Sequence, residues 1–119
     1  MDPKSGEILA MVNYPSYNPN EPVEKGNEVV ANVNITNGIE MGSVIKPFSV
    51  ITAFEYGGFT PDSLIDTGRG VMKIGKNYVK DIRALGEINV SNILSKSSNV
   101  GVTKMLLDIE PKNYLETLS

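Results

Sequence analysis

At 119 residues, with 40% hydrophobic and 21% charged content, the chain fits one small domain or a piece of a larger one. A net charge of −3, with Lys and Arg scattered rather than striped, excludes a nucleic-acid footprint, and the lack of Cys and His excludes thiolate chemistry and soft-metal sites. No apolar run approaches the roughly 18 to 20 residues that cross a bilayer, and no signal peptide is visible.

Asp2-Pro3-Lys4-Ser5-Gly6 reads as a turn, with Pro setting φ and Gly supplying a positive one. Glu7-Ile8-Leu9-Ala10-Met11-Val12 follows as a near-continuous apolar run, which predicts a strand covered on both faces. The chain offers few candidate neighbours for it. Pro15, Pro19 and Pro22 then make residues 13–22 an extended, turn-rich connector, because residues before proline avoid the helical region. The pattern from Val29 to Ile35 fits a short helix or a strand equally well.

Gly42-Ser43-Val44-Ile45-Lys46-Pro47 is the stretch with the clearest chemical content. A serine hydroxyl needs a base to become a nucleophile, and without histidine a lysine three residues on can serve. Ser43 is the only serine in the chain followed by lysine at that spacing. Pro47 cannot donate to the Ser43 carbonyl, so a tight 3₁₀-like turn leading into helix is expected, nearly eclipsing Ser43 and Lys46. Gly42 lets a substrate backbone approach, and a helix N-terminus aims N–H groups at a developing oxyanion. The blander reading is an N-cap serine with a solvated lysine. Phe48 to Tyr56 should continue the helix, with Phe48 and Ile51 in the core and Gly57-Gly58 closing it.

Thr60-Pro61-Asp62 begins a new segment, and Val71–Ile74 with Tyr78–Asp81 around Gly75-Lys76-Asn77 reads as a hairpin. A helix capped by Ser91 is expected to run to Lys96, and a second from Val100 to Ile109 with Val102, Leu106 and Ile109 on one face. Pro111 should open a last helix. Ser97-Ser98-Asn99 between the first two offers a hydroxyl that can relay a proton and an amide that can donate and accept. The plain alternative is a linker whose Ser and Asn cap helix ends.

Asp2 to Met11, then Pro15-Ser16-Tyr17-Asn18-Pro19-Asn20, resembles the opening of the transpeptidase domain of class B penicillin-binding proteins. Glu40-x-Gly42-Ser43-Val44-Ile45-Lys46-Pro47 is similar to that family's nucleophile motif, and Lys96-Ser97-Ser98-Asn99-Val100-Gly101 to its second motif. Val79-Lys80-Asp81 resembles the division-specific, septal branch. The resemblance runs from about Asp2 to Ile109 in the family's order.

It implies an α+β chain with a partial penicillin-binding protein/serine β-lactamase-like transpeptidase fold: the first sheet strand plus much of the helical subdomain. Residues 1–119 would be the N-terminal part of the transpeptidase domain. By the same resemblance, Ser43 would be acylated by the penultimate D-Ala of a peptidoglycan stem peptide, with Lys46 as base. Ser97 would relay the proton to the leaving group, and Asn99 would bind the substrate amide and help position Lys46. No metal or organic cofactor and no nucleic acid is implied. β-Lactams would be inhibitors, division proteins would be partners, and the parent would sit on the periplasmic side of the inner membrane behind an upstream anchor helix.

Three departures stand out. Met41 replaces the family's usual Pro, Ala31 and Val33 replace basic residues, and no Lys-Thr-Gly or Lys-Ser-Gly follows Asn99. Lys4-Ser5-Gly6 has the letters but precedes the nucleophile. The fragment alone is therefore expected to be inactive and to self-associate through an exposed strand edge. A β-lactamase, a β-lactam-sensing receptor and a non-catalytic interaction module are the alternatives.

Overall fold

The computed structural model describes residues 1–23 and 30–119. The chain divides into two compact units, Met1–Glu40 and Met41–Ser119.

In the first unit, the expected opening turn forms: the Asp2 N–H donates to the Glu7 carbonyl at 2.8 Å and the Gly6 N–H to Asp2 at 2.9 Å. Glu7 to Val12, expected as a strand, does not form one. Ile8, Leu9, Met11 and Val12 are exposed. The physical reason is a missing partner. Among the described residues no strand pairs with this run, and a lone strand leaves its backbone to water. The edge expected to drive self-association is therefore not present as a strand. What orders the unit is asparagine. Asn13 Nδ2 donates to the Ala31 carbonyl at 3.0 Å and its Oδ1 accepts from the Val33 N–H at 3.2 Å. Asn34 Nδ2 reaches the Val12 carbonyl at 2.9 Å. The ambiguous stretch resolves as a short helix, α1 (Val33–Thr36), capped by Asn32; Val29 lies outside the described residues.

The second unit opens with a 3₁₀ turn (Gly42–Ile45) leading into α2 (Lys46–Tyr56), as Pro47 demanded. Then come β1 (Leu64–Asp66), β2 (Val71–Ile74), β3 (Asn77–Lys80), β4 (Glu87–Asn89), α3 (Val90–Ser95), α4 (Asn99–Leu106) and α5 (Pro111–Leu118). β2 and β3 form the expected hairpin, with Val71 opposite Lys80 and Ile74 opposite Asn77. β1 and β4 pair antiparallel, Ile65 opposite Ile88, an interaction the apolar pattern did not reveal.

The core gathers Val50 and Ala53 of α2, Val90 and Ile93 of α3, and Val102 and Met105 of α4. Phe59, Ile65, Ile88, Leu106 and Ile109 pack around it. Gly101 makes the closest approach: a Cβ there would stand 2.7 Å from Ile93 Cγ1. Two expectations for these helices are corrected. Phe48 and Ile51 are 38% and 44% exposed, and the buried face of α2 is Lys46, Ser49, Val50, Thr52 and Ala53. This face is rotated because α5 meets it with hydroxyls: Thr52 Oγ1 donates to Thr117 Oγ1 at 2.9 Å, and Ser49 Oγ to the Tyr114 hydroxyl at 3.3 Å. The cap of α3 is Asn89, whose Oδ1 accepts from the Asn92 N–H, while Ser91 donates to the Pro61 carbonyl instead.

Candidate active site

Gly42 enters the 3₁₀ turn with φ +56°, a left-handed value that glycine takes without strain. The Lys46 N–H closes the turn on the Ser43 carbonyl. Met41 precedes it with φ −66°, the angle a proline ring would impose, so the departure at this position preserves the local backbone angle. Ser43 is not an N-cap. Its hydroxyl is left at the surface.

Lys46 is buried at 7% exposure, and the solvated-lysine reading falls. Its Nζ donates to the Ser97 carbonyl at 2.6 Å and to Ser97 Oγ at 2.8 Å. Ser97 Oγ in turn donates to Ser43 Oγ at 2.9 Å. Among the described hydrogen bonds none joins Lys46 to Ser43 directly; Ser97 stands between them. Burial pushes the Lys46 ammonium below its ordinary pKa, and the Asp81 carboxylate opposes this less strongly. A buried amine with a lowered proton affinity and a hydroxyl at its tip is the setting in which lysine acts as a base.

Ser97 itself has φ +57°, the only positive φ among the described non-glycine residues. Such a backbone costs of order 1–3 kcal/mol and persists only when its surroundings enforce it. The surroundings are the start of α4. Ser98 caps that helix, its Oγ accepting from the Gly101 N–H at 2.9 Å. The capping expected of this stretch falls to Ser98, while Ser97 is the serine that faces Lys46. Asn99 Nδ2 donates to the Lys80 carbonyl at 2.7 Å, and the described hydrogen bonds place none between Asn99 and Lys46.

The sequence reading missed Asp81 as part of the site. Its Oδ2 accepts from Ser98 Oγ at 2.7 Å, and its Oδ1 from the N–H groups of Asn99 and Val100 at 2.5 and 3.0 Å. It follows β3 directly, and nothing in local spacing joins it to a serine 17 residues downstream. Among the described residues no cluster of acidic side chains suits a metal ion, and no helix is long and apolar enough to cross a membrane.

Comparison with known proteins gives a consistent result. The chain is 40% identical over 118 residues to a probable peptidoglycan D,D-transpeptidase, PbpC, of Pseudomonas aeruginosa, covering 99% of this chain and 21% of that protein. It is 37% identical over 119 residues to peptidoglycan D,D-transpeptidase FtsI of Escherichia coli, covering all of this chain and 20% of that one. The chain therefore spans about one fifth of the length of these relatives. Among solved structures, a peptidoglycan glycosyltransferase from Burkholderia ambifaria superposes with a TM-score of 0.76 at 32% identity, over 95% of this chain and 32% of that one. The apo transpeptidase domain of penicillin-binding protein 3 from Burkholderia pseudomallei gives 0.66 at 32% identity, over 71% and 26%. The family model for the penicillin binding protein transpeptidase domain matches residues 1–119, the whole of the chain, and the chain belongs to that family.

Proposed function

We propose that the protein carrying this chain is a serine peptidoglycan D,D-transpeptidase in which Ser43 is the acylated nucleophile, and that penicillins acylate the same hydroxyl. One observation carries the reading: a continuous line from Lys46 Nζ through Ser97 Oγ to Ser43 Oγ, with steps of 2.8 and 2.9 Å. With Lys46 neutral, the Ser43 proton passes to Ser97 Oγ while the Ser97 proton passes to Nζ. Ser43 Oγ bonds to the penultimate D-Ala carbonyl, and the bond to the terminal D-Ala amine breaks. The proton returns along the same line to that amine. A stem-peptide amine then takes the acyl group from Ser43. The Ser43 N–H is suited to one half of an oxyanion hole, and Asn99 to the substrate amide.

The run Val79-Lys80-Asp81 and the identity with FtsI support the septal, division-specific branch, with division proteins as partners. A peptidoglycan substrate supports a periplasmic site of action at the inner membrane. Because no Lys-Thr-Gly or Lys-Ser-Gly follows Asn99, residues 1–119 alone should form no adduct.

The test is to incubate the full-length protein with penicillin and weigh it intact. A long-lived adduct that maps to Ser43 and vanishes in Ser43→Ala is expected. An adduct that persists in Ser43→Ala overturns the assignment, and rapid release of hydrolysed penicillin favours a β-lactamase.

A further inference from the structure

We propose that Asp81 is a positioning residue for acylation at Ser43: its carboxylate fixes the turn from Ser97 to Val100, and thereby holds the Ser97 hydroxyl between Lys46 and Ser43. The inference rests on the acyl-transfer reading above. Ser97 carries an unfavourable φ of +57°, so the turn must be held from outside. The residues that follow it supply the hold. Ser98 Oγ, the Asn99 N–H and the Val100 N–H all donate to the two Asp81 oxygens, and Asn99 Nδ2 donates to the carbonyl of Lys80 next door. Hydrogen bonds to a carboxylate are roughly twice as strong as neutral ones. At the start of α4 the same negative charge also faces the positive end of the helix dipole.

The platform itself is braced. The Asp81 N–H donates to the Gly70 carbonyl at 2.8 Å, at the open end of the β2–β3 hairpin. A Cβ at Gly70 would meet the Arg83 carbonyl oxygen at 2.9 Å, so the chain after Asp81 lies flush against that glycine. On the other side, Ser97 presents both its carbonyl and its hydroxyl to Lys46 Nζ. If Ser97 relaxed to a negative φ, both acceptors would swing, and the line to Ser43 would break. No described hydrogen bond joins Asp81 to Ser43 or Lys46: its charge opposes the lowering of the Lys46 pKa by burial, and its hydrogen bonds act on the site through the turn that carries Ser97.

The test compares Asp81→Ala and Asp81→Asn with the wild type in the full-length protein. Penicillin acylation is separated into non-covalent affinity and the rate of the covalent step, and thermal melts report the fold. Misplacing a catalytic group by about 1 Å costs roughly 10²-fold. Asp81→Ala should therefore lose about that factor in the covalent rate, with affinity little changed. Asp81→Asn keeps an acceptor for the two N–H groups and should recover part of the loss. A covalent rate unchanged in Asp81→Ala overturns the inference alone. So does a loss in both variants that only tracks the unfolded fraction and the affinity. A wild type that forms no adduct overturns the acyl-transfer reading and this inference with it.

Discussion

The two units of the chain are similarly supplied with apolar side chains and use them in opposite ways. In Met1–Glu40 no described residue is buried, and Ile8, Leu9 and Val12 are 60%, 67% and 82% exposed. Order there comes from asparagine side chains bonded to backbone groups. In Met41–Ser119, Ala53, Ile93 and Val100 are fully buried, and polar Lys46, Thr52, Thr67 and Ser98 are buried beside them. No buried side-chain polar atom among the described residues lacks a partner. Burial, and not apolar content, is what distinguishes a unit that can hold a strained Ser97 from one that has nothing to strain against.

The largest effect should come from the polar centre of the second unit. Lys46→Arg keeps the charge but cannot release its proton near neutral pH. Acylation of the full-length protein should fall by about 10² to 10⁴, the usual worth of a general base. Near-normal labelling would place the base elsewhere. The same residue sets a pH dependence. Burial outweighs Asp81 and lowers the Lys46 pKa, so the neutral, basic form gains with rising pH and appears earlier than for a lysine in water. The acylation rate should rise with pH through an ionisation centred below the ordinary lysine range. A rate that falls over that limb would contradict Lys46 as base.

The next effect lies in the core. Ile93→Ala removes a fully buried side chain packed on Gly101 and should cost about 2 to 5 kcal/mol, read by urea unfolding of the 119-residue chain. The smallest lies in the first unit. Leu9→Ser, at an exposed position, should change the same unfolding free energy by no more than about 0.5 kcal/mol. A Leu9→Ser effect as large as that of Ile93→Ala would break the comparison, by showing that Glu7 to Val12 bears packing weight.

Much of the site was legible along the chain because its signals are local. Pro47 dictated a 3₁₀ turn, and Ser43 and Lys46 sit across it as spacing required. The hairpin followed from two short runs flanking the glycine-containing Gly75-Lys76-Asn77 turn. Pro111 opened α5 by fixing φ at a helical value. Where the reading failed, the deciding partner was remote. Phe48 and Ile51 had core-like spacing, but spacing gives a face and not its direction, and the hydroxyls of α5 turned α2 the other way. Asn89, two residues before the expected Ser91, caps α3, because Ser91 donates to the distant Pro61 carbonyl instead.

Sequence alone singled out the candidate residues: a serine unique in having lysine at i+3, no histidine to compete, and a later Ser-Ser-Asn. Only the tertiary structure decided how they connect. It placed Ser97 between Lys46 and Ser43, 51 and 54 residues from each, and it brought Asp81 from the hairpin to the head of α4. Local patterns record helix faces and turns because those depend on neighbours a few positions away. A carboxylate that holds a distant turn leaves no such pattern, since its partners are two backbone N–H groups and a serine hydroxyl, and N–H groups occur at every residue but proline.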